Sequence, residues 1–480
     1  SMSDELALLD ATAQAELVRN GDVKALELVD AAIARVEALN PELNAVVTRQ
    51  FDRARQQARS PSLPEGPFRG VPFLLKDLGA HLAGDPVHSG MRVLKEIDWR
   101  EPGETHFAAK VREAGLLTIG RSNTPELGLQ PTTEPVSYGA AHNPWKLTHS
   151  PGGSSGGASA AVAAGLVPAA HASDGGGSIR IPANHCGLVG LKGSRGRNSF
   201  GPDAPERWAG FSCEGFVTRT VRDAAALADA VAGPMPGDPY TAPLPCRPFG
   251  EEAGADPGPL RIGMMNASPR GEIHSDCVTA VEDAGHLLES LHHKVEHSAP
   301  MALSDDEALR GFTVIVTSST AYALDVASEK IGREIGEHEV EPGTWVLATM
   351  GRTMSAADYI AAQSLNNRLA RGLAGWWEDG FDLLLTPTCA APPPALGCFD
   401  ATPENPMQGM MASLPYTVFT SPFNVSGQPA ISLPLHWNDD GLPVGIQLVA
   451  AYGREDLLIR VAAQLEQAEP WKHRRPPLHA

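Results

Sequence analysis

Ser150-Pro-Gly-Gly-Ser154-Ser155-Gly-Gly157 and Asp174-Gly-Gly-Gly-Ser178-Ile-Arg180 are two glycine clusters that each deliver a serine, and the segment between them decides the fold. Small residues from Ala158 to Gly165 read as a helix, and Leu166-Val-Pro-Ala-Ala-His171-Ala reads as a strand. Ser154 or Ser155 is expected to cap the helix. The second cluster is expected to follow the strand's end, where open α/β sheets bind ligands. The glycines before Ser178 have two readings: a mobile turn, or a nest in which residues without Cβ let several backbone N–H groups converge on an oxyanion.

Working outward, the chain alternates helix and strand, which gives an α/β class. Helices are expected from Asp10 to about Gly21 and over Ala25–Leu39, as an outer antiparallel pair. Gly70-Val-Pro-Phe-Leu-Leu-Lys76-Asp77 reads as a buried strand carrying a charge. A helix over Glu104–Ala114 and a strand over Leu116–Ile119 follow, and Asn123-Thr-Pro125-Glu126 looks like the start of another helix. Thr220–Ala232 is amphipathic, and the Pro- and Gly-rich Gly233–Gly258 is a long connection that divides the chain into 1–69 (N-terminal helical segment), 70–232 (core with the two serines) and 233–480 (remainder of the same α/β domain). Beyond it come a strand from Leu260, helices at about 275–291, 305–331 and 356–378, and a strand from Phe381. Pro387–Pro406 and Met407–Met411 read as irregular walls. A strand pair is expected at Pro429–Pro434 and Pro443–Val449, then a helix at about Glu455–Glu466.

Composition narrows the function. The 480 residues are 42% hydrophobic, and Asp plus Glu exceed Lys plus Arg by 57 to 38, for a net charge of −19. That balance argues against nucleic acid or an anionic membrane as partner. The six cysteines show neither C-x-x-C pairing nor close His spacing, so neither a disulfide framework nor a metal site is indicated, and a reducing compartment fits. The start of the chain has no basic region or long apolar run, and Ser1 before Met2 reads as an expression remnant. With no run of about 18 apolar residues, a cytoplasmic protein is expected.

Gly153-Ser-Ser155-Gly-Gly157 matches G-x-S-x-G, the nucleophile elbow of α/β-hydrolases, centred on Ser155. That elbow needs a strand before the serine, and Pro144 and Pro151 argue for loop there. A Ser-His-Asp arrangement stays open, with His171 and His185 nearest among 16 histidines. No phosphate-binding motif competes, because Arg180 stands where the last glycine of G-x-G-x-x-G belongs. Lys76 has two readings as well. Desolvation among Val71, Pro72, Phe73, Leu74 and Leu75 would favour a neutral amine able to take a proton from a serine, or the side chain snorkels beside Asp77.

Taken together, Gly-Gly-Ser154-Ser155-Gly-Gly, Gly-Gly-Ser178-Ile-Arg180-Ile-Pro182 and Lys76 at the end of Val-Pro-Phe-Leu-Leu resemble the amidase signature family. The likeness extends to Asn123-Thr-Pro-Glu126, Asn143-Pro-Trp145, Cys186-Gly-Leu-Val-Gly-Leu-Lys192 and Pro422-Phe-Asn-Val-Ser-Gly-Gln-Pro429, over about Asp10 to Trp471. Asp10-Ala-Thr-Ala-Gln-Ala-Glu-Leu-Val-Arg and Ala450-Ala-Tyr-Gly-Arg-Glu-Asp456-Leu-Leu are similar to members that act on nylon-type oligoamides. Gly193-Ser-Arg in place of the family's frequent Pro-Thr, Ala158 after the first cluster, and Gly176 where a larger residue is common are departures that bear on loop shape and specificity.

The resemblance implies the amidase-signature fold, a large twisted mixed β-sheet covered by helices on both faces. It implies that Ser178 is the nucleophile, that Ser154, following a cis peptide after Gly153, bridges it to Lys76, and that backbone N–H groups of Gly175, Gly176, Gly177 and Ser178 form the oxyanion hole. Gly153, Ser155, Asp174 and Arg180 are implied as structural support, with no metal or organic cofactor. The expected activity is hydrolysis of hydrophobic amides and oligoamides, extending to aryl esters and carbamates, through an acyl-enzyme; small molecules are the expected partners, with a homodimer left open. The rivals are an amidotransferase subunit that releases ammonia from glutamine for a partner, a His-dependent esterase using Ser155, and a non-catalytic binding module.

Overall fold

The computed structural model describes residues 2–480. Eleven strands form one sheet: β1 (Val46–Arg49), β2 (Pro72–Lys76), β3 (Leu117–Ser122), β4 (Ala169–Asp174), β5 (Val189–Lys192), β6 (Cys213–Thr218), β7 (Arg261–Met264), β8 (Lys294–His297), β9 (Leu383–Pro387), β10 (Ala430–Trp437) and β11 (Pro443–Ala450). Their order is β1-β3-β2-β4-β6-β5-β10-β11-β9-β7-β8. β2 runs parallel to β3 and β4, and β7 parallel to β8 and β9. The central strands β6, β5, β10 and β11 are joined antiparallel, so the sheet is mixed, as expected.

Side chains on a strand alternate between faces, and here both faces are covered. Leu74 packs with Ala170 and Ala172 in a core that includes the helices Ala25–Leu43 and Gly156–Ala163. Its neighbours Phe73 and Leu75 pack on the opposite face with Phe107, Val111, Leu227 and Val231 of the helices His106–Glu113 and Val221–Val231. On β9 the same division sends Leu383 and Leu385 to one core and Leu384 to another. Such doubly covered strands are hydrophobic throughout instead of alternating with polar residues, and β2 is buried at all five positions, Lys76 included. Lys76 lies two residues beyond Leu74, on the face covered by the helix that the first glycine cluster starts.

Several local expectations are corrected. Asn123-Thr-Pro-Glu126 starts no α-helix: only a 3₁₀ turn, Glu126–Gly128, forms, with Leu127 at φ 54°. The Asn123 amide nitrogen donates to the carbonyls of Asn44 and Gly139, which holds the side chain toward those loops, and its Oδ1 accepts no backbone N–H. Met407–Met411 is not irregular, because Gln408–Thr417 is a helix that tolerates Pro415 inside it. The reading missed the strands β1, β5, β6 and β8 and, among the helices, Phe51–Arg59, Arg180–Cys186 and Pro342–Arg352. Ser155 does stand at the N-cap position of Gly156–Ala163, but its hydroxyl makes no capping bond.

Candidate active site

Lys76 ends β2, and its ammonium position is fully buried. Nζ lies 2.6 Å from Ser154 Oγ, 3.0 Å from Ser155 Oγ and 2.9 Å from Ser173 Oγ. These hydroxyls explain why neither serine caps the adjacent helix. Burial removes the water that would solvate the charge and pushes Lys76 down to about 7, against the pull of Asp174 and Glu214 in the other direction. Ser155 Oγ donates to the Ser173 carbonyl and accepts from the Ser173 N–H, both at 3.2 Å, which stitches the first glycine cluster to β4. Ser173 was not foreseen from sequence. No local signal marked it, because β4 reads Ala-Ala-His-Ala-Ser-Asp and Ser173 is its one partly exposed position.

The peptide between Gly153 and Ser154 is cis. A side chain on Gly153 would come within 2.6 Å of the backbone of Thr132 and Gln130, and one on Gly157 within 2.3 Å of the Asn123 nitrogen. The first cluster is therefore glycine-rich because neighbouring backbone occupies the space of Cβ. The turn Glu126–Gly128 closes this side of the site. A Cβ on Gly128 would lie 3.3 Å from Ser154 Oγ, and Glu126 accepts the Glu341 N–H at 2.9 Å, fastening the turn to the start of the helix Pro342–Arg352. Burial raises Glu126 to about 7.

The second cluster follows β4 directly. Ser178 is partly exposed, as are Gly175 and Gly176, and the Ser178 carbonyl accepts from the Ser155 N–H at 3.3 Å, so the two clusters touch. Thr420 Oγ donates to the Gly176 carbonyl at 2.7 Å. Since a peptide's C=O and N–H point oppositely, this directs the Gly177 N–H the other way. Gly177 has φ 138°, and a side chain there would strike Ile181 and Thr420 at 2.5 Å. Gly176, by contrast, faces only the Phe312 ring at 3.5 Å.

Asp174 and Arg180 bracket this loop. Arg180 donates through Nε and a terminal nitrogen to both Asp174 oxygens at 3.0 Å, and its remaining donors reach the Thr420 carbonyl, Gln447 Oε1 and Asn424 Oδ1. Asp174 also takes the Ile179 N–H and the Asn424 amide. Burial alone would raise the Asp174 carboxyl, but the Arg180 guanidinium outweighs it and holds the group below the usual carboxylate range. Thr420, Asn424 and Gln447 lie at least 240 residues away from the loop in sequence; Asn424 falls inside the Pro422–Pro429 segment that carries part of the resemblance, but no role was read for it, and nothing marked Thr420 or Gln447.

The histidines that sequence left open point elsewhere. His171 Nδ1 accepts the backbone N–H of Lys76 at 3.0 Å while Nε2 faces Glu214 at 3.3 Å. His185 Nδ1 pairs with the Asn184 amide and its ring packs edge-on to Tyr416; burial lowers it to about 3. The chain before Ser155 is a loop and not a strand, so the elbow geometry is absent. Among the described residues no helix is long and apolar enough to cross a membrane.

The chain's similarities match this geometry. The Amidase family profile matches residues 27–459. The chain is 44% identical over 478 residues to the 6-aminohexanoate-cyclic-dimer hydrolase of Paenarthrobacter ureafaciens, covering 98% of this chain and 96% of that protein. A solved structure of 6-aminohexanoate cyclic dimer hydrolase superposes with a TM-score of 0.95 at 44% identity, covering 98% of this chain and 99% of that one. A bacterial aryl acylamidase of the amidase signature family superposes with a TM-score of 0.87 at 29% identity over 96% of both chains. With two glycine clusters in contact, a buried lysine on the serines of the first, and a family match running through the whole sheet, the chain belongs to the amidase signature family and is an amidohydrolase.

Proposed function

We propose that the protein hydrolyses the C–N bond of uncharged, apolar amides and oligoamides through an acyl-enzyme on Ser178, with Ser154 and Lys76 as its proton relay. The observation that carries this is the company Lys76 keeps: three hydroxyls within 3.0 Å in a site that burial has dried. A neutral amine has two N–H groups and one lone pair. Because Ser155 directs its own proton to the Ser173 carbonyl, it accepts one N–H from Lys76, and Ser173 accepts the other. The lone pair is left for the Ser154 proton along the shortest of the three contacts.

Ser178 Oγ attacks the amide carbonyl as its proton passes to Ser154 and the Ser154 proton passes to Lys76. The oxyanion is held by N–H groups of the Gly175–Ser178 loop, each such donor being worth roughly 2.7–4 kcal/mol at the transition state. The protonated relay then returns a proton to the leaving nitrogen, and the C–N bond breaks. Water attacks the acyl-Ser178 ester by the same sequence and releases the acid. Ester and carbamate carbonyls present the same oxygen to backbone donors, so aryl esters and carbamates are further substrates.

The substrate class is supported by the relatives' names and by the side chains that adjoin the loop. Phe312 faces Gly176, and its ring stacks on Phe211 at 5.7 Å and meets Trp208 edge-on at 6.3 Å. Such a wall favours apolar groups over the free α-amino and carboxylate groups of glutamine. The test is kcat/KM measured side by side on a hydrophobic anilide, a nylon-type oligoamide, a dialkyl carbamate and glutamine, with Ser178→Ala as control. The anilide or oligoamide should lead, and Ser178→Ala should lose at least about 10⁴-fold and all labelling by a serine-directed phosphonate. A preference for glutamine, or substantial turnover by Ser178→Ala, would overturn the reading.

A further inference from the structure

Beside the loop that carries Ser178 lies a cleft of about 50 Å³ bounded by Leu303, Phe312, Leu369, Leu414, Val418 and Val425. Phe312 belongs to both places: it lines the cleft, and its ring tip is the one neighbour that a side chain on Gly176 would meet. Thr417, which also lines the cleft, sits three residues before Thr420, whose hydroxyl holds the Gly176 carbonyl. Leu309 and Leu414 border the cleft while 41% and 39% exposed, so it opens to solvent there; Arg270 and Asp305 also line it, and the remainder is mostly apolar.

We propose that this cleft is the subsite for an aliphatic acyl chain and that Phe312 sets the chain length the enzyme accepts. The inference rests on the acyl-enzyme reading above and deepens it. The leaving nitrogen must receive its proton from Ser154, so the amine portion lies toward Ser154 and the turn at Gly128. The acyl portion then runs past Gly176 toward Phe312. A water-sized group needs about 10–15 Å³, so the cleft takes a few methylenes. The Phe312 ring, held between Phe211 and Trp208, narrows the way from the reacting carbon into that space, and shortening it widens the entrance.

The experiment is a p-nitroanilide series with acetyl, butyryl, hexanoyl and octanoyl groups, read as the ratio of octanoyl to acetyl kcat/KM and normalised by phosphonate titration of Ser178. Each methylene newly covered is worth about fourfold. Phe312→Ala should raise the ratio by about tenfold or more. Leu414→Trp, which fills the cleft from its open side, should lower it by about tenfold, and it carries the test alone if Phe312→Ala fails to fold. Ratios within twofold of the parent in the folded variants would overturn the subsite while leaving the acyl-enzyme intact. Loss of Ser178 titration in the parent itself would instead fell the proposed function.

Discussion

Lys76, at the end of β2 beside the first glycine cluster, and Arg180, at the end of the second, are both fully buried basic side chains, and they differ in what they touch. Arg180 meets a carboxylate with two parallel hydrogen bonds and spends its other donors on a carbonyl and two side-chain amides. Lys76 meets three neutral hydroxyls. A buried charge persists where a counter-charge balances the lost hydration, and it is given up where only dipoles are offered. Partner chemistry thus separates a group that braces a loop from one that can move a proton, at equal burial.

The contrast breaks most severely at Lys76. Lys76→Met should reduce kcat by at least about 10⁴-fold, and Lys76→Arg should be no better, because a guanidinium keeps its proton. Combining Lys76→Met with Ser154→Ala should cost far less than the sum of the two losses, since both serve one relay. Additive losses, or an active Lys76→Arg enzyme, would show that Lys76 works as a charge and not as a base.

At the other pole, Arg180→Met should destabilise the protein by about 3–5 kcal/mol, because Asp174 is left buried and unpaired. Chemical denaturation would read this as a shift of the midpoint at unchanged slope. The double variant Asp174→Asn, Arg180→Met should recover part of the loss. A single variant as stable as the parent would mean that the pair does not brace the loop.

The smallest effect is in pH. With Lys76 lowered to about 7, kcat/KM should fall about tenfold per pH unit below 7 and level off above it. The same shift has a sign for stability. An unfolded chain returns Lys76 to its ordinary value near 10.5, so between pH 7 and 10.5 the unfolded state binds the extra proton and stability rises with pH. Lys76→Met should flatten that rise. A parent whose stability is level across this window would show that the lysine is not neutral in the fold.

What could be read in the sequence follows the range of the interactions. Lys76 stood out because a charge ended an apolar strand, and the two serines because glycines flanked them. Asp174 and Arg180, six residues apart, enter as support through the family resemblance. Thr420, Asn424 and Gln447 reach the loop only because β10 and β11 fold back against β5 and β9, a pairing that no local pattern specifies. Asn123-Thr-Pro125-Glu126 misled for a related reason: its residues carry a helix-start pattern, but the asparagine is claimed by carbonyls of two other loops and Leu127 turns left-handed where the segment packs on Ser154. Local preference lost to tertiary contact there.

The proposed proton-transfer groups and their glycine nest all fall between residues 76 and 180, whereas Trp208, Phe312 and the helices Glu307–Ile331 and Gln408–Thr417 that flank them come from later in the chain. On the proposed reading, chemistry and selectivity thus lie on separate stretches of sequence. A lineage can vary the helices Glu307–Ile331 and Gln408–Thr417 without touching the proposed reacting groups, provided β9 between them and the grips of Thr420 and Asn424 survive. Grafting those segments between relatives is therefore a route to new substrates that leaves the reaction itself untouched.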